Sequence, residues 1–184
     1  MVYKMNVAGL ERDLKLCPLN DKLSIAAFIL FGDVELTVHC AAALLAKAPE
    51  FDVMITAESK GIPLAYEMTK QAGKNRYILA RKGVKVYMTD VVKYELTSIT
   101  TQHQQTLYLD GADAAYMKGK RVLIVDDVIS TGESLAALEN LVEQAGGNIV
   151  GRMAVLAEGD AQQRSDITYL EKLPLFNADG TILA

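Results

Sequence analysis

The chain of 184 residues has few cysteines, little net charge and no long hydrophobic run, and each shortage excludes a class of protein. Cys17 and Cys40 are too few for a disulfide framework, so we expect a reducing, cytoplasmic location. The formal charge of −4 gives no basic field for nucleic acid. Apolar stretches such as Ile25–Phe31 are far too short to span a membrane, and Met1–Asp13 is too charged for a signal peptide. We therefore expect neither a nucleic-acid nor a membrane partner.

A hydrophobic content of 51% and a length of 184 residues are typical of one domain, residues 1–184, with a sizeable core. Apolar runs predict strands at Phe51–Ala57, Arg76–Arg81, Lys85–Val92, Thr106–Leu109, Val122–Val125 and Asn148–Ala157. Helices are predicted at Glu35–Ala48, Ile62–Ala72 and Leu135–Gln144. This alternation indicates an α/β fold with a mainly parallel twisted sheet flanked by helices, whose ligands bind beyond the carboxyl ends of the strands.

The segment RVLIVDDVISTGES, residues 121–134, is the most informative part of the chain. Its apolar run Val122–Val125 suits a strand buried on both faces, and the carboxylates Asp126 and Asp127 follow where that strand ends. Ser130–Ser134 then lead into a helix, whose unpaired N–H groups and dipole favour an anion. A sugar phosphate has both the hydroxyls that suit the acids and the anion that suits the loop.

This segment resembles the signature that binds phosphoribosyl pyrophosphate (PRPP) in type I phosphoribosyltransferases. The resemblance implies that fold, and it implies that Asp126 and Asp127 face the ribose hydroxyls. It assigns the 5′-phosphate to Ser130, Thr131, Gly132, Glu133 and Ser134. It also implies PRPP as co-substrate, with Mg²⁺ held through PRPP and water rather than by direct protein ligands.

A second loop, Glu58-Ser59-Lys60-Gly61, again joins a predicted strand to a predicted helix. It resembles the pyrophosphate loop of adenine and xanthine phosphoribosyltransferases. The basic pair Arg81-Lys82 matches the pair that follows the next strand in those enzymes, and Lys85 lies close after it. The resemblance therefore implies that pyrophosphate binds Glu58, Ser59, Lys60, Gly61, Arg81, Lys82 and Lys85. Arg81 would be catalytic with the two acids, and sharing of the basic pair implies a homodimer.

The polar stretch Lys93–Gln105 corresponds in position to the mobile lid that closes over PRPP. Tyr94 and Glu95 resemble the start of the adenine-type lid, but Thr97-Ser98-Ile99 replace the Glu-Tyr-Gly that follows in that family. Ser130 stands where hypoxanthine-guanine enzymes carry an Asp that manages a base proton. The adenine type is therefore favoured, and the xanthine type stays open.

In this family a small hood built from the chain ends holds the base. Here the hood corresponds to about residues 1–33 and 158–184, around a core of about 34–157. Phe28, Val128 and Ile129 are the base-binding candidates, and Phe31 and Phe176 are further candidates for stacking. Lone aromatic residues more often pack in the core, so each of the three phenylalanines has that alternative.

Other interpretations of the sequence compete with a purine phosphoribosyltransferase. A response-regulator receiver carries its acidic pair near the start of the chain, whereas here only 57 residues follow Asp127. A purely structural strand and turn would not explain two strand–loop–helix anion sites in this order. A PRPP-sensing regulator that has lost the chemistry remains open, although no added DNA-binding segment is visible. Orotate enzymes are a lesser alternative, because their lid is typically richer in lysine.

Overall fold

The computed structural model describes residues 1–96 and 105–183 and contains a parallel sheet, a smaller antiparallel sheet and a two-stranded hairpin. The strands are β1 Val2–Val7, β2 Leu10–Pro18, β3 Leu23–Ala27, β4 Val53–Ala57, β5 Ile78–Ala80, β6 Val92–Leu96, β7 Gln105–Leu109, β8 Arg121–Ile129, β9 Asn148–Glu158, β10 Thr168–Leu173 and β11 Phe176–Asn177. The helices are α1 Val34–Leu45, α2 Ile62–Gln71, α3 Gly111–Met117 and α4 Glu133–Gln144, with a 3₁₀ turn at Gly159–Gln163. No helix in this part of the chain is both long and apolar enough to cross a membrane.

The parallel sheet has the strand order β10-β9-β8-β4-β5, which places β8 at its centre. Residues Val122–Val125 of β8 are at most 1% exposed, because strands pair with both edges of β8 and other elements cover both faces. All neighbouring strands of this sheet run parallel, so β4 and β8 end at the same edge. The predicted α/β architecture is confirmed.

Alternate side chains of β8 pack into two different hydrophobic cores, one on each face of the parallel sheet. Leu123 and Val125 belong to the core that includes α1, α2 and the antiparallel sheet. Val122 and Ile124 belong to the core that includes α4, β7 and the end of α3. The strand that carries the acidic pair is therefore fixed from both sides.

The antiparallel sheet is built from both chain ends in the order β1-β2-β3-β11. The sequence predicted a hood from these segments but none of its strands. Phe176 is 1% exposed and packs edge-on against Tyr3 with ring centroids 5.0 Å apart, and Phe28 is 2% exposed in the same core. The assignment of Phe28 to the base is therefore corrected, because its ring has no free surface on which a base could stack. Phe31 is half exposed.

The strand predicted over Lys85–Val92 is wrong. The chain turns there, with Met88 N donating to Lys85 O at 3.0 Å, and β6 begins only at Val92. The apolar residues that suggested a strand do not share one covered face, since Val86 and Tyr87 are 107% and 63% exposed whereas Met88 is buried. β6 pairs with β7 as an antiparallel hairpin. Residues 97–104, the centre of the expected lid, lie outside the described residues.

An ion pair links the antiparallel sheet to the start of α1. Asp33 caps α1 by accepting from Leu36 N at 3.0 Å, and Arg12 Nε of β2 donates to Asp33 Oδ2 at 2.7 Å. The Arg12 hydrogen bond holds the pKa of Asp33 below its usual range, although burial opposes this. The stabilisation is therefore complete above the usual carboxyl pKa and is lost as the pH falls through the lowered value.

Replacing Asp33 by Ala should lower the free energy of unfolding by about 1 kcal/mol, the usual cost of a lost helix cap. Urea titration at neutral pH measures this. Asp33→Asn is the matched variant, because Asn also caps helices and should retain most of the stability. Since the ion pair is lost in acid, the difference between Ala variant and parent should shrink below pH 4 or so.

Candidate active site

The two predicted anion loops meet at one cleft beyond the ends of β4 and β8. The loop Glu58–Gly61 follows β4 and leads into α2, and its Glu58–Ser59 peptide bond is cis. The cleft has a volume of about 190 Å³. It is lined by Ala57, Glu58, Ser59, Lys60, Lys82, Asp126, Asp127, Val128 and Ser134. Residues from four separate parts of the sequence therefore surround one small polar space.

The two acids of β8 occupy different surroundings in this cleft. Asp127 is 3% exposed, and its Oδ2 lies 3.3 Å from Lys60 Nζ as an ion pair without a hydrogen bond. Asp126 Oδ1 accepts from Asp127 N at 2.9 Å. Burial, and then the charge of Asp127, raises the pKa of Asp126 well above its usual range. Among the described residues, Lys60 is thus the cation within ion-pair distance of Asp127, and Asp126 has none within that distance.

Gly61 lies in close contact with both β4 and β8. A Cβ atom at Gly61 would lie 2.3 Å from Thr56 Oγ1 and 3.0 Å from Asp126 Oδ1. Real Cβ atoms do not approach neighbours so closely, so only glycine lets this loop lie against the acid. The contact explains why the predicted pyrophosphate loop and the predicted ribose-binding acids share one cleft.

Three buried side-chain nitrogen or oxygen atoms of the described residues lack a hydrogen-bond partner, and all three belong to this region. They are Thr56 Oγ1, Arg81 Nε and Asp127 Oδ2. Buried polar groups without partners are uncommon in folded proteins, and each one raises the energy of the empty site. Their concentration here supports a polar ligand at the cleft.

Glu58 holds the basic pair in position. Its Oε2 accepts from Lys82 N at 2.9 Å, and its Oε1 lies 3.5 Å from Arg81 Nη2. The Lys82 N–H is the main reason that the pKa of Glu58 is lowered, with the charges of Arg81, Lys85 and Lys82 adding to it. Glu58 and Lys82 both line the cleft, but the Glu58 carboxylate already contacts Lys82 N and the Arg81 guanidinium. Glu58 therefore orients the basic pair and is a poor direct partner for an anion.

The predicted phosphate loop surrounds a second, smaller hollow of about 40 Å³. It is lined by Asp126, Val128, Ile129, Ser130, Thr131, Gly132, Glu133, Ser134 and Leu135. α4 begins at Glu133 directly after Gly132, which has no side chain to cap it, and Glu133 N makes only a long hydrogen bond of 3.5 Å to Thr131 Oγ1. Free N–H groups and the helix dipole therefore remain available to an anion, in the way that the sequence predicts.

A third cleft of about 280 Å³ adjoins the predicted phosphate loop. The sequence predicted Ser130 and Thr131 as site residues but none of the other residues that line this cleft. It is lined by Leu19, Leu23, Ile25, Ser130, Thr131, Glu158, Gly159, Asp160 and Leu175. The apolar residues come from the antiparallel sheet and its connections, which are built from the segments that the family resemblance assigns to the hood. Val128 and Ile129 line the neighbouring hollow instead of this cleft.

The two described lid residues lie in the β6–β7 hairpin. Tyr94 packs against the core beneath the sheet, and Glu95 Oε1 lies 2.5 Å from Lys93 Nζ. Neither lines one of the three cavities above. Their predicted part in a lid depends on residues 97–104, which are outside the described part of the chain.

Comparison with known proteins identifies the family. The model of the phosphoribosyl transferase domain matches residues 39–177. This chain belongs to the phosphoribosyltransferase family. Its similarity to the adenine phosphoribosyltransferase of Acetivibrio thermocellus is 37% identity over 143 residues, covering 72% of this chain and 71% of that protein. With the hypoxanthine/guanine phosphoribosyltransferase of Methanothermococcus okinawensis it shares 32% identity over 146 residues, covering 73% and 72%.

A solved structure supports the same fold. The adenine phosphoribosyltransferase of Thermoanaerobacter pseudethanolicus superposes with a TM-score of 0.72, covering 86% of this chain and 95% of that one. The identity is 20%, so this likeness concerns the fold alone. The type I phosphoribosyltransferase fold expected from the signature segment is thereby confirmed.

Arg164 is a residue of this phosphoribosyltransferase that sequence reasoning missed. Asp166 holds its guanidinium through two hydrogen bonds of 2.9 and 2.6 Å. Its Nη1 would lie 2.7 Å from a Cβ atom on Gly132. Gly132 also has a φ of +81°, a conformation that other residues adopt at a cost. Both observations require glycine at the turn of the phosphate loop.

Gly132→Ala should weaken the binding of ribose 5-phosphate about 10-fold or more, because the new methyl group displaces either the loop or Arg164. Isothermal titration calorimetry measures the affinity. Gly73→Ala is the matched control, since Gly73 also has a positive φ of 65° but no atom near its Cβ position. Equal affinity in the Gly132 variant and the parent would contradict the contact. The control should lose stability and keep its affinity.

Proposed function

We propose that this protein is a purine phosphoribosyltransferase that transfers the 5-phosphoribosyl group of PRPP to a purine, with adenine favoured. The products would be a nucleoside 5′-monophosphate and pyrophosphate. One observation carries the proposal: an acidic pair lies between two glycine-containing anion loops, and a base-sized cleft adjoins one of them. A phosphorylated ribose that carries pyrophosphate needs those features in that order. Adenine is favoured because relatives and structural neighbours bear that name.

Catalysis would rest on position and charge. Asp126 and Asp127 would accept hydrogen bonds from the ribose hydroxyls and favour the positive charge that develops on the sugar. Lys60, Lys82 and Arg81 would stabilise the charge of the departing pyrophosphate. Lys60 and Asp127 form an ion pair in the empty site. On binding of PRPP, Asp127 would instead accept hydrogen bonds from ribose hydroxyls, and Lys60 would contact phosphate oxygens. Glu58 would keep Arg81 and Lys82 aimed at the leaving group.

Mg²⁺ is part of the proposal as a companion of PRPP. The described residues contain no group of three acids, histidines or cysteines that could hold a metal by themselves. Asp127 Oδ2 is buried without a hydrogen-bond partner, so it fits an ion that takes most of its ligands from PRPP and water. When bound, the ion would neutralise charge on pyrophosphate. The protein would contribute Asp126 and Asp127 as orienting acceptors.

We also propose that the protein is a homodimer located in the cytoplasm. Val84, Val86 and Tyr87 are 56%, 107% and 63% exposed directly after the basic pair Arg81-Lys82. Such adjacent apolar side chains are commoner at interfaces than on free surfaces. An interface there would bring the basic pair close to a second copy, as the family resemblance implies.

Pyrophosphate release with Mg²⁺ and PRPP tests the proposal, with adenine, xanthine, hypoxanthine, guanine and orotate supplied separately. We expect release with adenine above the rate without base. Release with xanthine alone would make the protein a xanthine phosphoribosyltransferase. Binding of PRPP without release on any base would contradict an enzyme and favour a PRPP-sensing regulator. The variant lacking both acids of β8 serves as the inactive control.

A further inference from the structure

The cleft beside the phosphate loop contains a carboxyl group that the chain leaves without a partner. Glu158 is the last residue of β9 and is half-buried in the wall of this cleft. Its side chain has no hydrogen bond or ion pair with any residue of the described part of the chain. Its oxygens are not among the fully buried unpaired atoms, so water reaches them in the empty cleft and a ligand can take the place of that water.

Glu158 lies near residues of both predicted anion loops. The cleft that it lines shares Ser130 and Thr131 with the phosphate loop. Burial raises the pKa of Glu158, and the nearby ammonium group of Lys60, in the pyrophosphate loop, partly offsets this. A base that reacts with the ribose must lie between the two phosphate ends of PRPP. Glu158 is therefore within reach of that base.

The charge of the cleft has one sign. Asp160 is the other charged residue in its wall, and no lysine or arginine of the described residues lines it. Leu19, Leu23 and Leu175 make much of the remaining wall apolar. A base with a negative charge would meet two carboxylates in the wall, whose charge the ammonium group of Lys60, outside the wall, offsets only in part. A neutral base that presents N–H groups would give Glu158 the hydrogen bond that it lacks.

We propose that Glu158 is the specificity-determining residue of the base cleft, where it accepts a hydrogen bond from a neutral purine and repels anionic bases. This inference rests on the proposed function and narrows its substrate to neutral purines. The cleft is small enough that any charge on a bound base lies close to Glu158. At such distances a like charge should weaken binding roughly 10-fold or more.

The test uses two probes that differ in charge and hardly in shape, purine-6-carboxamide and purine-6-carboxylate. Their affinities are measured by calorimetry with saturating ribose 5-phosphate, which cannot react. The parent should bind the neutral probe at least about 10-fold more tightly than the anion. Glu158→Gln should bring that ratio close to one, mainly by improving the affinity of the anion. Asp160→Asn removes the same charge from an exposed position of the same cleft and should change the ratio far less.

Three outcomes would overturn the inference: equal affinities of the parent for both probes, an unchanged ratio in Glu158→Gln, or an equal effect of Asp160→Asn. The comparison of the two probes on the parent needs no variant. The inference can therefore be contradicted even if Glu158→Gln fails to fold. The affinities of the two probes are measured without any catalytic turnover. A negative result for Glu158 is therefore distinguishable from a failure of the proposed enzymatic activity. Release of pyrophosphate by the parent together with an unchanged ratio would leave the enzyme standing and remove Glu158 from base selection.

Discussion

Replacing Asp126 and Asp127 together by Asn should lower kcat/KM for PRPP about 10³-fold. Each carboxylate would lose a charge-assisted hydrogen bond to a ribose hydroxyl, worth roughly 2 kcal/mol, and about 4 kcal/mol corresponds to three orders of magnitude. The loss should fall on kcat as well as KM, because the same charges favour the cationic sugar of the transition state. Initial rates of pyrophosphate release over a range of PRPP concentrations measure both constants.

The same replacement should leave the fold intact, and this is an independent expectation. The raised pKa of Asp126 means that its ionisation costs folding free energy at neutral pH, and Asn removes that cost. The melting temperature of the variant should therefore equal or exceed that of the parent at pH 7. The difference should shrink as the pH falls, because the folded parent then takes up the proton. Asp13→Asn with Asp21→Asn removes the same charge from exposed positions and is the control. Full activity of the Asp126 and Asp127 variant would exclude both acids from the site.

The parts of the site that lie close together in the sequence could be predicted from it. Val122–Ser134 is one continuous strand, turn and helix start, so the order of its residue types already determines the local structure. The loop Glu58–Gly61 has the same organisation after β4. The contact of Lys60 with Asp127 joins the two segments, and only their resemblance to a family with two such loops anticipated it.

The third cleft, to which the proposed function assigns the base, could not be predicted in the same way, because it depends on packing between distant segments. Leu19 and Leu23 reach Glu158 only after the chain ends have joined in one antiparallel sheet. The sequence of β2 did contain a pattern that could have predicted a strand. Leu10, Arg12 and Leu14 are less exposed than Glu11 and Asp13 between them, as in a half-buried strand. The opposite error occurred after β5, where the apolar residues of the predicted strand belong to a turn that exposes Val86 and Tyr87 and buries Met88. Periodicity reports which side chains share a face and does not report whether that face is covered.

Gly61→Ala should impair both stability and activity, because the added methyl group has no free space. Its position lies 2.3 Å from Thr56 Oγ1 and 3.0 Å from Asp126 Oδ1, so the loop must move away from the acid. Overpacking of this kind costs about 1–3 kcal/mol of unfolding free energy. A loop displaced by about 1 Å would also lower kcat/KM by roughly 10²-fold, since Lys60 moves with it. Chemical denaturation and pyrophosphate release measure the two effects.

A second substitution identifies the cause of this loss. Thr56 Oγ1 is buried without a hydrogen-bond partner, so Thr56→Ala sacrifices no hydrogen bond and removes the nearer of the two obstacles. In the double variant Thr56→Ala with Gly61→Ala, a large part of the lost stability and activity should return, which gives a favourable coupling in the double-mutant cycle. Gly83→Ala is the matched control, because no atom lies within 4 Å of that Cβ position, and it should be nearly neutral. If the two substitutions are simply additive, the loss arises from the backbone of the loop. The close approach of Gly61 to the acidic pair would then have no part in holding the site together.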